Sequence, residues 1–323
     1  MSKKSVFVIC ALFGYLLLCP QSALQSARDG LLLWYHSVLP VIFPFLFFGG
    51  LLMRLVNAED MPKILTRPFT RLFGCSAYGV FVIPAGFLCG FPAGARLTGD
   101  LYRDGKITRE EALHLFGFAN NVSPGFIVSY LASGQMRQPD RAGWYVLQIL
   151  GAALLYGWIQ SWPRRGRNYP ESVQTPPTRE TISFTLIDDC IYEAMSSALR
   201  LGAYILLFAI LSGAITLAAP LSNPAVLLFV SGIEVTNGIH LLAVSALSDA
   251  QKYIAVSALA AFGGWSALAQ SAGIGHMDKE MLFLLYQKQG DHHPAHNSDI
   301  HCPVPVEFPL IIAALLPQLH QIL

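Results

Sequence analysis

Long apolar blocks dominate the chain, separated by short polar runs, and some blocks are cut near their centres by glycine, proline or asparagine. Ser5–Cys19, preceded by Lys3 and Lys4, is apolar but short for a hydrocarbon core of ~30 Å at ~1.5 Å per helical residue. It reads either as a retained span or as the apolar region of a signal peptide cleaved after Ala23 or Ala27; the lack of a tidy small-x-small site favours the span. Ser22–Ser37 mixes Arg28 and Asp29 with Leu31, Leu32, Leu33 and Trp34, the pattern of a helix lying in the membrane interface, and Pro40–Val56 then crosses. Residues 59–74 set Lys63, Arg67 and Arg71 beside Leu65, Phe69 and Leu72, which predicts a basic helix on the membrane surface.

Tyr78–Leu101 is interrupted by Gly90-Phe91-Pro92-Ala93-Gly94, and neither arm is long enough to cross alone. A re-entrant helical hairpin is expected, because turn backbone at membrane depth must be buried in protein or line a cavity. Thr108–Ser133 is long enough to cross but is broken at Asn120-Asn121-Val122-Ser123-Pro124; Thr108 opens it with Glu111 three residues later, as in a capping box. Ala142–Trp162 is uninterrupted, and Pro163–Glu180 turns to Arg, Pro, Thr and Ser, which marks a linker.

The order of elements then restarts. Ile182–Ser197 is amphipathic with Asp188, Asp189 and Glu193, and Leu199–Ala219 is apolar. Pro224–Ser245 is cut at Glu234-Val235-Thr236-Asn237-Gly238, predicting a second hairpin. Lys252–Lys288 holds a second discontinuous span, broken at Gly263-Gly264-Trp265-Ser266, and Val306–Leu323 is the last span. One shift of 144 residues relates Gly94 to Gly238, Leu97 to Leu241, Leu115 to Leu259 and Phe118 to Phe262. A shift of 160 relates Asp29 to Asp189, Ser37 to Ser197, Leu39 to Leu199, Leu46 to Leu206, Phe48 to Phe208 and Leu51 to Leu211. The shifts differ by about the length of the basic surface helix, which the second half lacks. The shared order of elements is stronger evidence for duplication than these identities, which barely exceed chance in a Leu-rich chain.

Composition narrows the class. Hydrophobic residues make up 54% of the chain and charged residues 13%, far from a soluble domain of this length, and the net charge of +1 argues against nucleic-acid binding. The six cysteines show no C-x-x-C spacing. With Lys3 and Lys4 cytoplasmic, the halves enter the bilayer in opposite directions. The cytoplasmic side then receives Lys63, Arg67, Arg71, Arg103, Lys106, Arg109, Arg164, Arg165, Arg167, Arg179, Lys279 and Lys288, and the outside keeps Arg28, Arg137, Arg141 and Lys252.

In an inverted-repeat carrier, half-helix N-termini face anionic groups and unwound carbonyls face cations, so the four breaks nominate a site. Arg96 and His240 occupy equivalent positions beyond the two hairpin tips and suit the carboxylates of a planar dianion; alternatively Arg96 pairs with Asp100 and His240 is a satisfied interior histidine. Glu234 is the acidic residue of its apolar segment, placed to hold a coupling proton or sodium ion or to pair with Arg96. Asn120, Asn121 and Ser123 either bind ligand or cap the broken helix, and Thr236, Asn237 and Ser266 carry the same two readings. Gly90, Gly94, Gly238 and Gly264 allow turns or close backbone approach beside Phe91, and Trp265 either stacks on an aromatic ligand or packs. The run Asp291-His292-His293-Pro294-Ala295-His296 with His301 and Cys302 matches no zinc signature and reads as a solvated loop. No metalloprotease, nucleotide-loop or serine-hydrolase motif is present, so an enzyme is not expected.

Three segments carry a family resemblance: Cys89–Leu97, the turn Asp104-Gly105-Lys106-Ile107-Thr108, and Phe118-Ala119-Asn120-Asn121-Val122-Ser123-Pro124. With Gly30–Gly50 and its Trp34, Pro40 and Pro44, they resemble the YlbJ-type sporulation membrane proteins of the wider nucleoside-recognition, or gate-domain, family. The chain is also distantly similar to the concentrative nucleoside transporters. Phe118, Ala119, Asn120 and Ser123 fit their broken-helix motif, here in the first half instead of the second. Glu234, Thr236 and Asn237 supply a carboxylate and an amide in the second hairpin, in a different order. The YlbJ-type resemblance implies export of dipicolinate from the mother cell across the outer forespore membrane.

The expectation is therefore an all-α polytopic membrane protein with about seven crossings, two re-entrant hairpins and two discontinuous helices. Residues 1–20 form an N-terminal helix, 21–162 a first gate-type repeat, 163–181 a cytoplasmic linker and 182–323 a second, inverted repeat. It would carry a small aromatic carboxylate, in contact with the lipid bilayer and with no nucleic acid; homo-oligomer formation is left open. The rival readings are a nucleoside or other small-solute carrier of the same fold, and a non-transporting sporulation scaffold.

Overall fold

Apolar sequence alone does not stop a helix; capping residues and chain breaks do, and they divide this protein into helices throughout. The computed structural model describes residues 3–55, 63–162 and 181–274, among which no strand occurs. The linker over 163–180, Lys279 and Lys288, the His-rich run with Cys302 and the last span at Val306–Leu323 lie outside the described residues.

Helix α1 covers Lys3–Leu18, α2 Pro20–Leu33 and α3 Leu39–Leu55, and the stretch Trp34–Val38 between α2 and α3 is π-helical. The expected division into an interfacial helix and a separate span is therefore corrected: Pro20–Leu52 is one helix long and apolar enough to cross a membrane. The second half behaves in the same way, with α9 running unbroken over Phe184–Ala218 behind an N-cap in which the Ser183 side chain accepts from the Leu186 N–H. The two long helices lie side by side. Gly30 packs on Ala209, the Trp34 indole N–H donates to the Ala198 carbonyl at 3.0 Å and Arg54 pairs with Glu193. Rising numbers on one helix meet falling numbers on the other, so the helices are antiparallel.

Basic helix α4, Lys63–Phe73, turns by 86° into α5, Ala77–Cys89. Its end is tied down by the Ser161 hydroxyl donating to the Leu72 carbonyl and by a His114 ring nitrogen 2.8 Å from the Phe73 carbonyl. Helix α6 is Ala93–Arg103 and α7 Arg109–Phe118, the latter capped by Thr108 accepting from the Glu111 N–H. The Glu111 carboxylate, however, accepts from the Ser76 N–H at 2.6 Å, so it also braces the start of α5. Residues 119–123 break the chain, a π-helical stretch Phe126–Gln135 follows, and α8 is Ala142–Gln160. In the second half come α10, Pro224–Ile233; α11, Val235–Val244; α12, Asp249–Phe262; and α13, Gly264–Ile274. Ser248 and Gln251 form a full capping box on α12, and Gly263, with φ of 78°, ends it.

Among the described residues three helices are long and apolar enough to cross a membrane: Pro20–Leu52, Pro139–Gln160 and Phe184–Leu217, or four if the bent α4–α5 pair counts as one span. Phe7, Phe13, Leu17, Phe48, Leu147, Leu207 and Phe229 expose their side chains, which suits a hydrocarbon surround and would cost solubility in water. The interior is packed with Phe118, Tyr130, Tyr145, Tyr156 and Ile149.

Candidate functional site

The chain breaks fall where they do because glycine, proline and polar side chains replace the helical hydrogen-bond ladder there. Gly90, with φ of 76°, ends α5, and Phe91-Pro92 leads into α6. Asn121 donates to the Phe118 carbonyl and Ser123 accepts from the Phe126 N–H, so both close the ends of the broken helix. At the second hairpin Glu234 is the N-cap of α11: one carboxylate oxygen accepts the Thr236 N–H at 2.9 Å and the other the Asn237 N–H at 2.7 Å. The Thr236 carbonyl in turn accepts from the Tyr130 hydroxyl.

These four breaks meet. Gly90 lies against the Ser123 backbone, Phe91 lies over Gly263, and Gly264 is packed against Glu234 and Val235. Between them is a cavity of about 40 Å³, lined by Gly90, Phe91, Ser123, Glu234, Thr236, Ser266 and Gln270, with Leu46 and Ser197 of the long helices closing its sides. Its volume suits a water or a small cation, not a ring-sized solute. Glu234 is 1% exposed, and no ion pair reaches it among the described residues. The Ser266 hydroxyl is also buried and has no hydrogen-bond partner there.

The other predicted residues sit around this centre. Asn120 accepts from the Ala95 N–H at 3.2 Å and donates to the Ser271 hydroxyl at 2.6 Å, joining α6 to α13. Gly94 and Gly238 are places of close backbone approach, where a Cβ would collide with the carbonyls of Ala119 and Ser231. Asn237 donates its amide to the Ile205 carbonyl. Trp265 is exposed and edge-on to Phe262, outside the central cavity.

Arg96 does not pair with Glu234. Its side chain, 46% exposed, lies 3.9 Å from Asp100 and 3.4 Å from Glu193, in an adjoining pocket of about 240 Å³ walled by α3, α5, α6 and α9. His240 faces a third pocket, of about 490 Å³, with its ring 3.0 Å from the Gln135 side chain. The two outer pockets match through the chain's own shifts. Ala93, Arg96 and Leu97 line the first, and Asn237, His240 and Leu241, each 144 residues later, line the other. Gly30, Leu33 and Ser37 line the latter, and Cys190, Glu193 and Ser197, each 160 residues later, line the former.

Sequence reasoning passed over Arg54, Gln270 and Ser271 as site residues. Arg54 carried a signal, being a guanidinium inside an apolar block. Glu193 was visible only as one acid of an amphipathic helix, and nothing local said which residues it would face.

No family model matches the chain, and no solved structure matches it. The sporulation integral membrane protein YlbJ of Bacillus subtilis (strain 168) is 26% identical over 316 residues, covering 85% of this chain and 76% of the relative. Similarity sustained over that share of both chains, in a protein built from long apolar helices, makes this chain similar to the YlbJ-type sporulation integral membrane proteins.

Proposed function

We propose that the protein is a transporter of a small aromatic carboxylate, dipicolinate in the first instance, working by alternating access. In this reading the two halves form an inverted pair with seven crossings and a cytoplasmic N-terminus, and the protein moves dipicolinate out of the mother cell across the outer forespore membrane. One observation carries the proposal: four helix breaks converge on a small cavity that holds Glu234, Thr236, Ser266 and Gln270, and two larger pockets lie beside it at positions equivalent under the internal shifts. Equivalent pockets in antiparallel halves are what a carrier needs to expose one site to each side in turn. A scaffold could use the Glu234 cap of α11, but it has no use for that buried carboxylate set in a cavity beside the Ser266 hydroxyl, partnerless among the described residues.

Glu234, with Ser266 and Gln270, is the proposed seat of the coupling proton or sodium ion, since it holds a charge-bearing group in a space sized for a small cation. The test is dipicolinate uptake into proteoliposomes with and without a proton or sodium gradient. Wild-type protein should show gradient-dependent uptake, and Glu234→Gln should abolish it while still inserting. Uptake of uridine but not dipicolinate would favour the second reading, a nucleoside carrier of the same fold, which the likeness of Phe118-Ala119-Asn120 and Ser123 to the broken-helix motif of the nucleoside transporters supports. No flux of either would favour a scaffold.

A further inference from the structure

We infer that the pocket between α3, α5, α6 and α9 is an anion-binding vestibule in which Glu193 occupies the place of a carboxylate of the transported solute, gripped by Arg54 and Arg96. The inference rests on the transporter reading and names the groups that recognise its substrate class, ring-sized organic carboxylates.

Both guanidiniums converge on one atom. Arg54 Nη2 and, at 3.4 Å, Arg96 Nη2 reach the same Glu193 oxygen, Oε1. Two arginines focused on a single carboxylate oxygen are a ready-made carboxylate receptor, and here the receptor is filled by the protein itself. The remaining charges steady the arginines: Asp189 lies 3.7 Å from Arg54, and Asp100 lies 3.9 Å from Arg96 while also pairing with Arg103 at 3.1 Å. Glu193 is the carboxylate that the two arginines share, so its release turns both guanidiniums toward the pocket while Asp189 and Asp100 still hold them in place. Glu193 is 34% exposed and Arg96 46%, and an ion pair with that access to water is easily exchanged for another. Leu46, Ala85, Cys89 and Leu97 supply an apolar wall, and about 240 Å³ accommodates a single ring with its carboxylates.

The duplicated pocket provides an internal control. Under the same shifts Arg54 becomes Ala214, Glu193 becomes Leu33 and Arg96 becomes His240. The fold packs that corner without the two arginines and the glutamate, so the charges are not needed to hold the corner together. One face of the carrier therefore grips an anion and the other does not, an asymmetry that favours capture on one side and release on the other.

Binding of pyridine-2,6-dicarboxylate to the purified full-length protein in nanodiscs, measured by titration calorimetry beside benzoate and inorganic phosphate, tests this. Arg54→Gln and Arg96→Gln should each weaken binding about tenfold, whereas Glu193→Gln, which removes the internal competitor, should tighten it about threefold. Opposite signs are the signature. Glu193→Gln needs no arginine variant to fold, and thermal unfolding of each variant checks its integrity. Equal weakening by Glu193→Gln and the arginine variants, or unchanged binding in Arg54→Gln, overturns the inference. Phosphate bound as well as the ring carboxylate overturns the ring-sized class. Flux in proteoliposomes with no ring carboxylate bound also overturns it and leaves the transporter reading intact. The expected pattern of binding without any flux upholds the vestibule and removes transport.

Discussion

At the scale of single residues, Glu234 and Ser266 separate structural from functional roles. Glu234 caps α11 with both oxygens, so Glu234→Ala frees one buried and one half-buried N–H group and should destabilise the protein by about 1–2 kcal/mol, measured as a lower thermal midpoint in detergent. Ser266 has nothing to lose: its hydroxyl is buried without a partner among the described residues, so Ser266→Ala should leave stability unchanged or slightly raised. A fall in uptake at unchanged stability would then place Ser266 on the solute or ion path. Gly94→Val and Gly238→Val should each cost about 1–3 kcal/mol, because the new side chain meets a backbone carbonyl with no room to move. Variants of both glycines that unfold at the wild-type temperature would contradict the close approach.

At the scale of elements, the breaks were legible and the joins were not. Gly90, Asn120–Ser123, Glu234 and Gly263 announce interruptions because each removes or competes for helical hydrogen bonds locally. Ser22–Ser37 and Pro40–Val56 looked like two elements because Arg28 and Asp29 mark an interface, yet the chain passes through Trp34–Val38 without leaving helical geometry. The same error recurred at α9. Local polarity reports where a helix meets water, not whether it continues, and here the antiparallel partner helix stabilises the continuation. The Trp34 indole bond to the Ala198 carbonyl ties that pair together, so Trp34→Phe should lower stability by about 0.5–1.5 kcal/mol in the same thermal assay. No change would mean that packing of the ring alone holds the two helices.

At the scale of the whole molecule, the equivalence of the two outer pockets predicts access from opposite sides of the membrane. With the native cysteines replaced, Ser197→Cys in the pocket of Arg96 and Ser212→Cys in the pocket of His240 should be modified by a membrane-impermeant thiol reagent from opposite faces. Labelling of both from one face would defeat the inverted arrangement. The sequence by itself determined that this is a helical membrane protein and where the helices break, because apolar length, spacing and helix-stopping residues act within a few turns of chain. Which breaks meet, that Arg96 turns away from Glu234 and that Arg54 and Glu193 share its pocket were decided only in three dimensions. Those relations join residues several helical elements apart in the chain, through helix packing that no local pattern encodes.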